Sequence, residues 1–262
     1  MPSRKPSISL STPLQPASRA LIIGASSGMG AALARRLARE GYALALVARR
    51  KNLLSALCAE INKSAGSTRA LSYVHDVHDY DDVPELLRKI VADLGGLDLV
   101  IYASGVNFPP GLQSYNFDGD RQMLEVNLTG AFAWLNPVAE MFQATGAGHI
   151  VGISSVAGDR GRVGNPGYNA SKAGFTSYLE SLRNRLTRRG VHVLTVKAGF
   201  VRTEMLKAAQ KVMFPISAEK AADDIYRAIW RKKQQIYTPW FWTWIMLVVR
   251  NIPSVLFRRM SF

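Results

Sequence analysis

Apolar and polar positions along this chain follow two periods, and the switching between them sets out an architecture. "ALIIG" (20–24) is a short apolar run closed by glycine, and "AALARRLAREG" (31–41) carries its apolar residues at helical spacing up to Gly41. The unit repeats as "YALALVA" then "NLLSALCAEINKSAG", as "RALSYVH" then "DVPELLRKIVADLGG", and "LDLVIYAS" follows as a fourth strand. Residues 117–145 read as one long helix with a kink at Pro137, "GHIVGIS" as a fifth strand, and 167–189 as a helix stopped at Gly190. "VHVLTVKAG" gives a sixth strand, 217–233 a helix and "QIYT" a last short strand. Apolar runs joined by amphipathic helices predict an α/β domain: one doubly wound parallel sheet, right-handed crossovers, and helices on both faces.

No repeat or long linker marks a second domain. The pattern predicts a Ser- and Pro-rich, acid-free lead-in over 1–18, disordered, then the α/β domain over 19–238. A hydrophobic, basic segment over 239–262 follows as an apolar appendage. It holds three of the five tryptophans, and its apolar run from Trp240 to Val249 makes about 15 Å of helix where a bilayer takes roughly 20 residues. Arg250 and Pro253 then interrupt the run, which disfavours a simple transmembrane helix. Two readings stay open: peripheral contact with a membrane interface, or packing on a partner subunit or over a cleft.

Composition narrows the class. Hydrophobic residues at 48% and charged residues at 20% describe an ordinary globular chain. Cys58 is the sole cysteine, so no internal disulfide forms, and a reducing, cytoplasmic setting is expected. His75, His78, His149 and His192 lack the spacing of a helical metal pair, and no metal site is assigned. The net charge of +14 is uneven: residues 1–182 hold 17 basic and 15 acidic side chains, residues 183–262 hold 16 and 4. A basic face suits an anionic membrane surface, on the inner side of a membrane, or simply solvent. No nucleic-acid-binding motif accompanies it, so no nucleic-acid partner is expected.

Three clusters carry chemistry. Gly24-Ala25-Ser26-Ser27-Gly28-Met29-Gly30 lies between a strand and a helix, where glycine lets the backbone approach a pyrophosphate and the helix start offers free N–H groups. The second strand ends in Ala48-Arg49-Arg50-Lys51; cations without a carboxylate there favour the 2′-phosphate of NADP over the bare ribose of NAD. Tyr168 and Lys172 share a helix face, and a cation near a phenol favours its ionised form. Ser155 ends the fifth strand, at the sheet edge where open α/β folds bind ligands.

Taken jointly, Gly24-x3-Gly28-x-Gly30, Asp76-Val77, Asn127, Ser155 and Tyr168-x3-Lys172 resemble, in order and approximate spacing, the short-chain dehydrogenase/reductase family over residues 19–238. The resemblance implies a Rossmann-type fold. It implies Tyr168 as proton donor or acceptor, and Lys172 as the group that holds the nicotinamide ribose and depresses the tyrosine pKa. Ser155 would hydrogen-bond the substrate oxygen, and Asn127 would hold a relay water. Cofactor contacts are implied for Gly24, Ser26, Ser27, Gly28, Met29, Gly30, Arg49, Arg50, Asp76, Val77, Gly105, Tyr168, Lys172, Gly199, Val201 and Thr203. Two departures stand out: Tyr102-Ala103-Ser104-Gly105 replaces the usual Asn-Asn-Ala-Gly, and Ala198-Gly199 the usual Pro-Gly. Altered bracing is expected from them. The implied activity is an NADP(H)-dependent interconversion of a ketone and a secondary alcohol, against the alternative of a non-catalytic NADP(H)-binding, membrane-associated protein. Phe200, Val201, Met205, Leu206, Val212, Met213 and Phe214 suggest an apolar lid over a lipid-like substrate, or core packing. Homo-oligomerisation stays open.

Overall fold

The protein is described by a computed structural model covering residues 19–208 and 212–260. The lead-in expected over 1–18 lies outside the described residues. Seven strands build the main sheet: β1 (Arg19–Ile23), β2 (Ala43–Ala48), β3 (Ala70–Val74), β4 (Leu99–Tyr102), β5 (Gly148–Ser155), β6 (Val191–Ala198) and β9 (Gln235–Thr238). Their order is β3-β2-β1-β4-β5-β6-β9, and every ladder is parallel. Two short strands, β7 (Val201–Arg202) and β8 (Ile216–Ser217), pair on their own.

Both sheet faces are buried, which is why the strands read as continuous apolar runs. In β1, Ala20 and Ile22 pack toward one helix layer and Leu21 and Ile23 toward the other. The first layer is α1 (Gly28–Arg39), α2 (Lys51–Ala65) and α7 (Ala218–Trp230); the second is α3 (Val83–Leu94), α5 (Gly130–Thr145) and α6 (Pro166–Leu186). The chain builds outward from β1 to β3, then returns to start again at β4. That reversal opens a crevice at the carboxyl ends of β1 and β4, and the site occupies it.

The long helix expected over 117–145 divides. α4 (Phe117–Leu124) runs into a π turn, Glu125–Thr129, before α5 begins, and Pro137 sits inside α5 without ending it. The irregularity therefore falls at Asn127, and a tertiary contact accounts for it: the fully buried Tyr102 hydroxyl donates to the Val126 carbonyl at 2.6 Å.

The C-terminal segment forms α8 (Trp242–Asn251) and α9 (Ser254–Phe257). One face of α8, made of Trp242, Met246 and Val249, packs with Val156 and Phe200. Arg160 fastens the end of the segment, donating from Nη1 to the carbonyls of Val249 and Ile252, both at 2.6 Å, and stacking 3.8 Å over the Phe257 ring. Among the described residues no helix is long and apolar enough to cross a membrane. The apolar segment is docked along its inner face.

Candidate active site

Two adjoining cavities open at the carboxyl edge of the sheet. The first, about 450 Å³, is floored by the turn after β1 and walled by the ends of β2 and β4. Gly24 has φ +91°, and a Cβ there would lie 2.5 Å from the Ser104 amide nitrogen, so the turn admits only glycine. A Cβ on Gly30 would strike the Gly24 carbonyl. Ser27 enters α1 in extended conformation with no side-chain cap, which leaves the first helix amides facing the turn. Arg50 bends over this turn, donating from Nε to the Ser26 hydroxyl at 3.1 Å, contacting the Ser27 hydroxyl, and pairing with Glu204 at 2.8 Å. Arg49 lies 3.4 Å from Asp76. Free amides, a backbone brought close by glycine, and a guanidinium at the strand end fit the phosphates of a dinucleotide.

Asp76 and Val77 behave differently from one another. Val77 lines the cavity, whereas the Asp76 carboxylate accepts from the His78 amide at 3.1 Å and meets the His78 ring at 2.7 Å. Burial acts to raise the Asp76 pKa, but these bonds and the charge of Arg49 outweigh it and leave the carboxyl below its usual range. Its first task is to tie the β3 end together.

The second cavity, about 320 Å³, shares Met29, Ala103, Gly105, Asn107, Thr203 and Met205 with the first. Ser155, Tyr168 and Lys172 all line it. Ser155 Oγ accepts from the Ala157 amide at 3.1 Å and donates to the Ala198 carbonyl at 3.2 Å, which fixes the hydroxyl. Lys172 Nζ is buried, donates to the Ile153 carbonyl at 3.0 Å, and lies 5.8 Å from the centre of the Tyr168 ring. Burial presses its pKa down to about 8. The Tyr168 hydroxyl stands 4.0 Å from the Met205 sulfur. Burial raises the Tyr168 pKa, while the Ser155 hydroxyl and the Arg162 charge act to lower it. Sequence reasoning assigned that lowering to Lys172. Here the counteracting cation is Arg162, which carries no signal in sequence because it sits in an irregular loop.

Asn127 does not open onto either cavity. Its Oδ1 accepts from the Val106 amide at 2.8 Å, and its Nδ2 donates to the Val106 carbonyl and the Ser171 hydroxyl, both at 3.0 Å. Through these bonds the side chain braces the loop after β4. With Tyr102 on Val126, it supplies a brace where the usual asparagines are missing. Gly105 sits beneath, its missing Cβ 3.3 Å from Asn127 Oδ1 and 3.4 Å from Lys172 Nζ.

Gly199, Val201 and Thr203 line the second cavity. Gly199 has a further reason to be glycine, since a Cβ there would enter the indole of Trp242. The apolar lid divides: Phe200, Val201, Met205 and Leu206 face the cavity, while Val212, Met213 and Phe214 are exposed outside it. Among the described residues no group of three or more His, Cys, Asp or Glu could hold a metal ion.

The short chain dehydrogenase family model matches residues 18–213. An uncharacterized oxidoreductase of Mycobacterium tuberculosis is 34% identical over 229 residues, covering 87% of this chain and 90% of the relative. Among solved structures, a short-chain dehydrogenase from Sphingobium yanoikuyae in complex with NADPH superposes with a TM-score of 0.77 at 26% identity, over 90% of this chain and 96% of that one. A variant of the actinorhodin polyketide ketoreductase with NADPH superposes at 0.74 and 26% identity, over 82% and 91%. On this match, and on the strand order and turn that it accompanies, the chain belongs to the short-chain dehydrogenase family of oxidoreductases.

Proposed function

We propose that the protein is an NADP(H)-dependent reductase that interconverts a ketone and a secondary alcohol on an apolar substrate. The observation that carries this reading is the convergence of Ser155, Tyr168 and Lys172 on a cavity that shares six residues with the dinucleotide-shaped one. The turn from Gly24 to Gly30 and the start of α1 would hold the diphosphate, and Arg50 with Arg49 the 2′-phosphate that distinguishes NADP from NAD. NADP-bound relatives of the same fold support the same choice. When bound, the nicotinamide supplies the hydride chemistry.

The chain's own groups handle the proton. Tyr168 donates to the substrate oxygen, a role that needs the phenol protonated; a phenol is protonated at neutral pH, and burial raises its pKa further. Ser155, whose oxygen is positioned by the Ala157 amide, would turn its hydroxyl proton from the Ala198 carbonyl to the substrate oxygen and stabilise charge developing on it. Lys172, anchored on Ile153, would hold the nicotinamide ribose and supply a cation near Tyr168. Leu112, Val156, Phe200, Met205 and Leu206 give the cavity its apolar wall and exclude water from the carbonyl.

Oxidation of NADPH with a panel of aliphatic and cyclic ketones tests the reading, with Tyr168→Phe beside the parent. The parent turns over, and the variant binds NADPH as tightly with kcat lower by about 10²–10⁴. A parent that binds NADPH and reduces no ketone would leave the protein a binder of NADP(H) without this chemistry.

A further inference from the structure

The outer side of α8 carries apolar groups that nothing in the fold covers. Trp242, Met246 and Val249 face the body. The opposite stripe, Trp240, Trp244, Leu247 and Val248, points outward and is between 54% and 70% exposed. Val255 and Leu256 on α9 are exposed as well. This surface adjoins the cavity wall: the Phe241 ring meets Trp240 at 6.3 Å and Trp242 at 6.2 Å, and Trp242 meets Phe200, which lines the cavity, at 5.8 Å.

Charge selects the occupant. Residues 239–262 contain Arg250, Arg258 and Arg259 and no acid, and all three arginines are exposed. We propose that this face docks on an anionic lipid surface. Trp240, Trp244, Leu247 and Val248 enter the interfacial layer, and Arg258 and Arg259 meet the phosphate-bearing headgroups. α8, roughly 15 Å long, lies along the surface rather than across it. A second copy of the chain fits less well, because an isologous contact would set an acid-free segment against itself with nothing to pair its arginines. Resting on the reductase reading, the docked face sets the cavity beside the bilayer, and an apolar ketone dissolved there reaches it from the lipid side, past Phe200.

The test sediments the full-length protein with vesicles of phosphatidylcholine alone and of phosphatidylcholine with phosphatidylglycerol, while recording tryptophan emission. Binding is expected on the anionic vesicles, with a blue shift. At least a tenfold loss is expected in the triple variant Trp244→Ser, Leu247→Ser, Val248→Ser and in the double variant Arg258→Glu, Arg259→Glu. Thermal midpoints and NADPH-dependent reduction of a water-soluble ketone, both without vesicles, stay at parent level in the two variants, which separates docking from misfolding. A parent that ignores anionic vesicles, or variants that bind them as the parent does, overturns the proposal. So does a parent that binds no vesicle and forms a dimer which the triple variant dissociates, since the face then belongs to a second copy. Vesicle binding by a parent that reduces no ketone keeps the lipid surface and removes the reductase reading with its delivery route.

Discussion

A methyl group added at Gly199 would enter the space held by the Trp242 indole. Gly199 is not among the glycines with positive φ, so alanine meets no backbone penalty there and its whole cost comes from that contact. Overpacking of this kind costs roughly 1–3 kcal/mol. Trp242 is 1% exposed, and Trp242→Ala forfeits its burial and leaves a void, at about 3–5 kcal/mol. In the double variant the new methyl points into the vacated space. The combined cost should therefore fall short of the sum by roughly 1–3 kcal/mol, a coupling of the size that touching residues show. Urea unfolding followed by far-ultraviolet circular dichroism on the parent, both single variants and the pair gives the cycle directly. Because Gly199 and Phe200 line the cavity that Ser155 and Tyr168 also line, kcat/KM for a ketone provides a second readout. Costs that add within about 0.5 kcal/mol would refute the contact, and with it the docking of α8 on the cavity wall.

Other consequences follow from the buried charges. Arg162→Leu removes a cation that lowers the Tyr168 pKa, so the alkaline limb of kcat/KM for reduction should move to higher pH; an unmoved limb argues that Arg162 does not act on the phenol. Lys172 has its folded pKa pressed to about 8, below its unfolded value near 10.4, so the unfolded state binds the extra proton between these values and stability rises with pH across that window. The stability of the parent relative to Lys172→Met should accordingly grow by about 1–3 kcal/mol from pH 8 to pH 10.4, and a flat difference in denaturant midpoints would count against a buried ammonium. Lys197 and Asp159 form an ion pair with side chains 6% and 2% exposed, and the Tyr237 hydroxyl donates to the same carboxylate at 2.7 Å. Lys197→Met should cost about 3–5 kcal/mol, and adding Asp159→Asn should recover most of it; a single-variant cost under about 1 kcal/mol would show the pair to be solvated.

What sequence could show was governed by range. The alternation of strand and helix is set within each βαβ unit, and burial of β1 and β4 on both faces leaves its mark as unbroken apolar runs. Gly24 and Gly30 are legible because their requirement is local. The π turn at Asn127 is not, since its cause is a hydroxyl on Tyr102 reaching a carbonyl 24 residues away, while the local signal at Pro137 pointed elsewhere. Arg162 acts on Tyr168 through space from a loop without periodicity, and no spacing rule reaches it.

The C-terminal segment is the harder case, because its composition is the same on both sides of the helix. Trp242 and Trp244 are two residues apart, yet one is 1% exposed and the other 63%. Hydropathy gives both the same value and so reads a single apolar run. What separates them is the shape of the partner: the missing Cβ of Gly199 receives the Trp242 indole, and Arg160 holds the far end of α8 at the Val249 and Ile252 carbonyls. Those two attachments fix the rotation of α8, and that rotation decides which tryptophans remain for solvent, lipid or partner. Ala198 supplies a carbonyl for Ser155, and Gly199 makes room for Trp242, so α8 and Ser155 lean on neighbouring residues of one strand end.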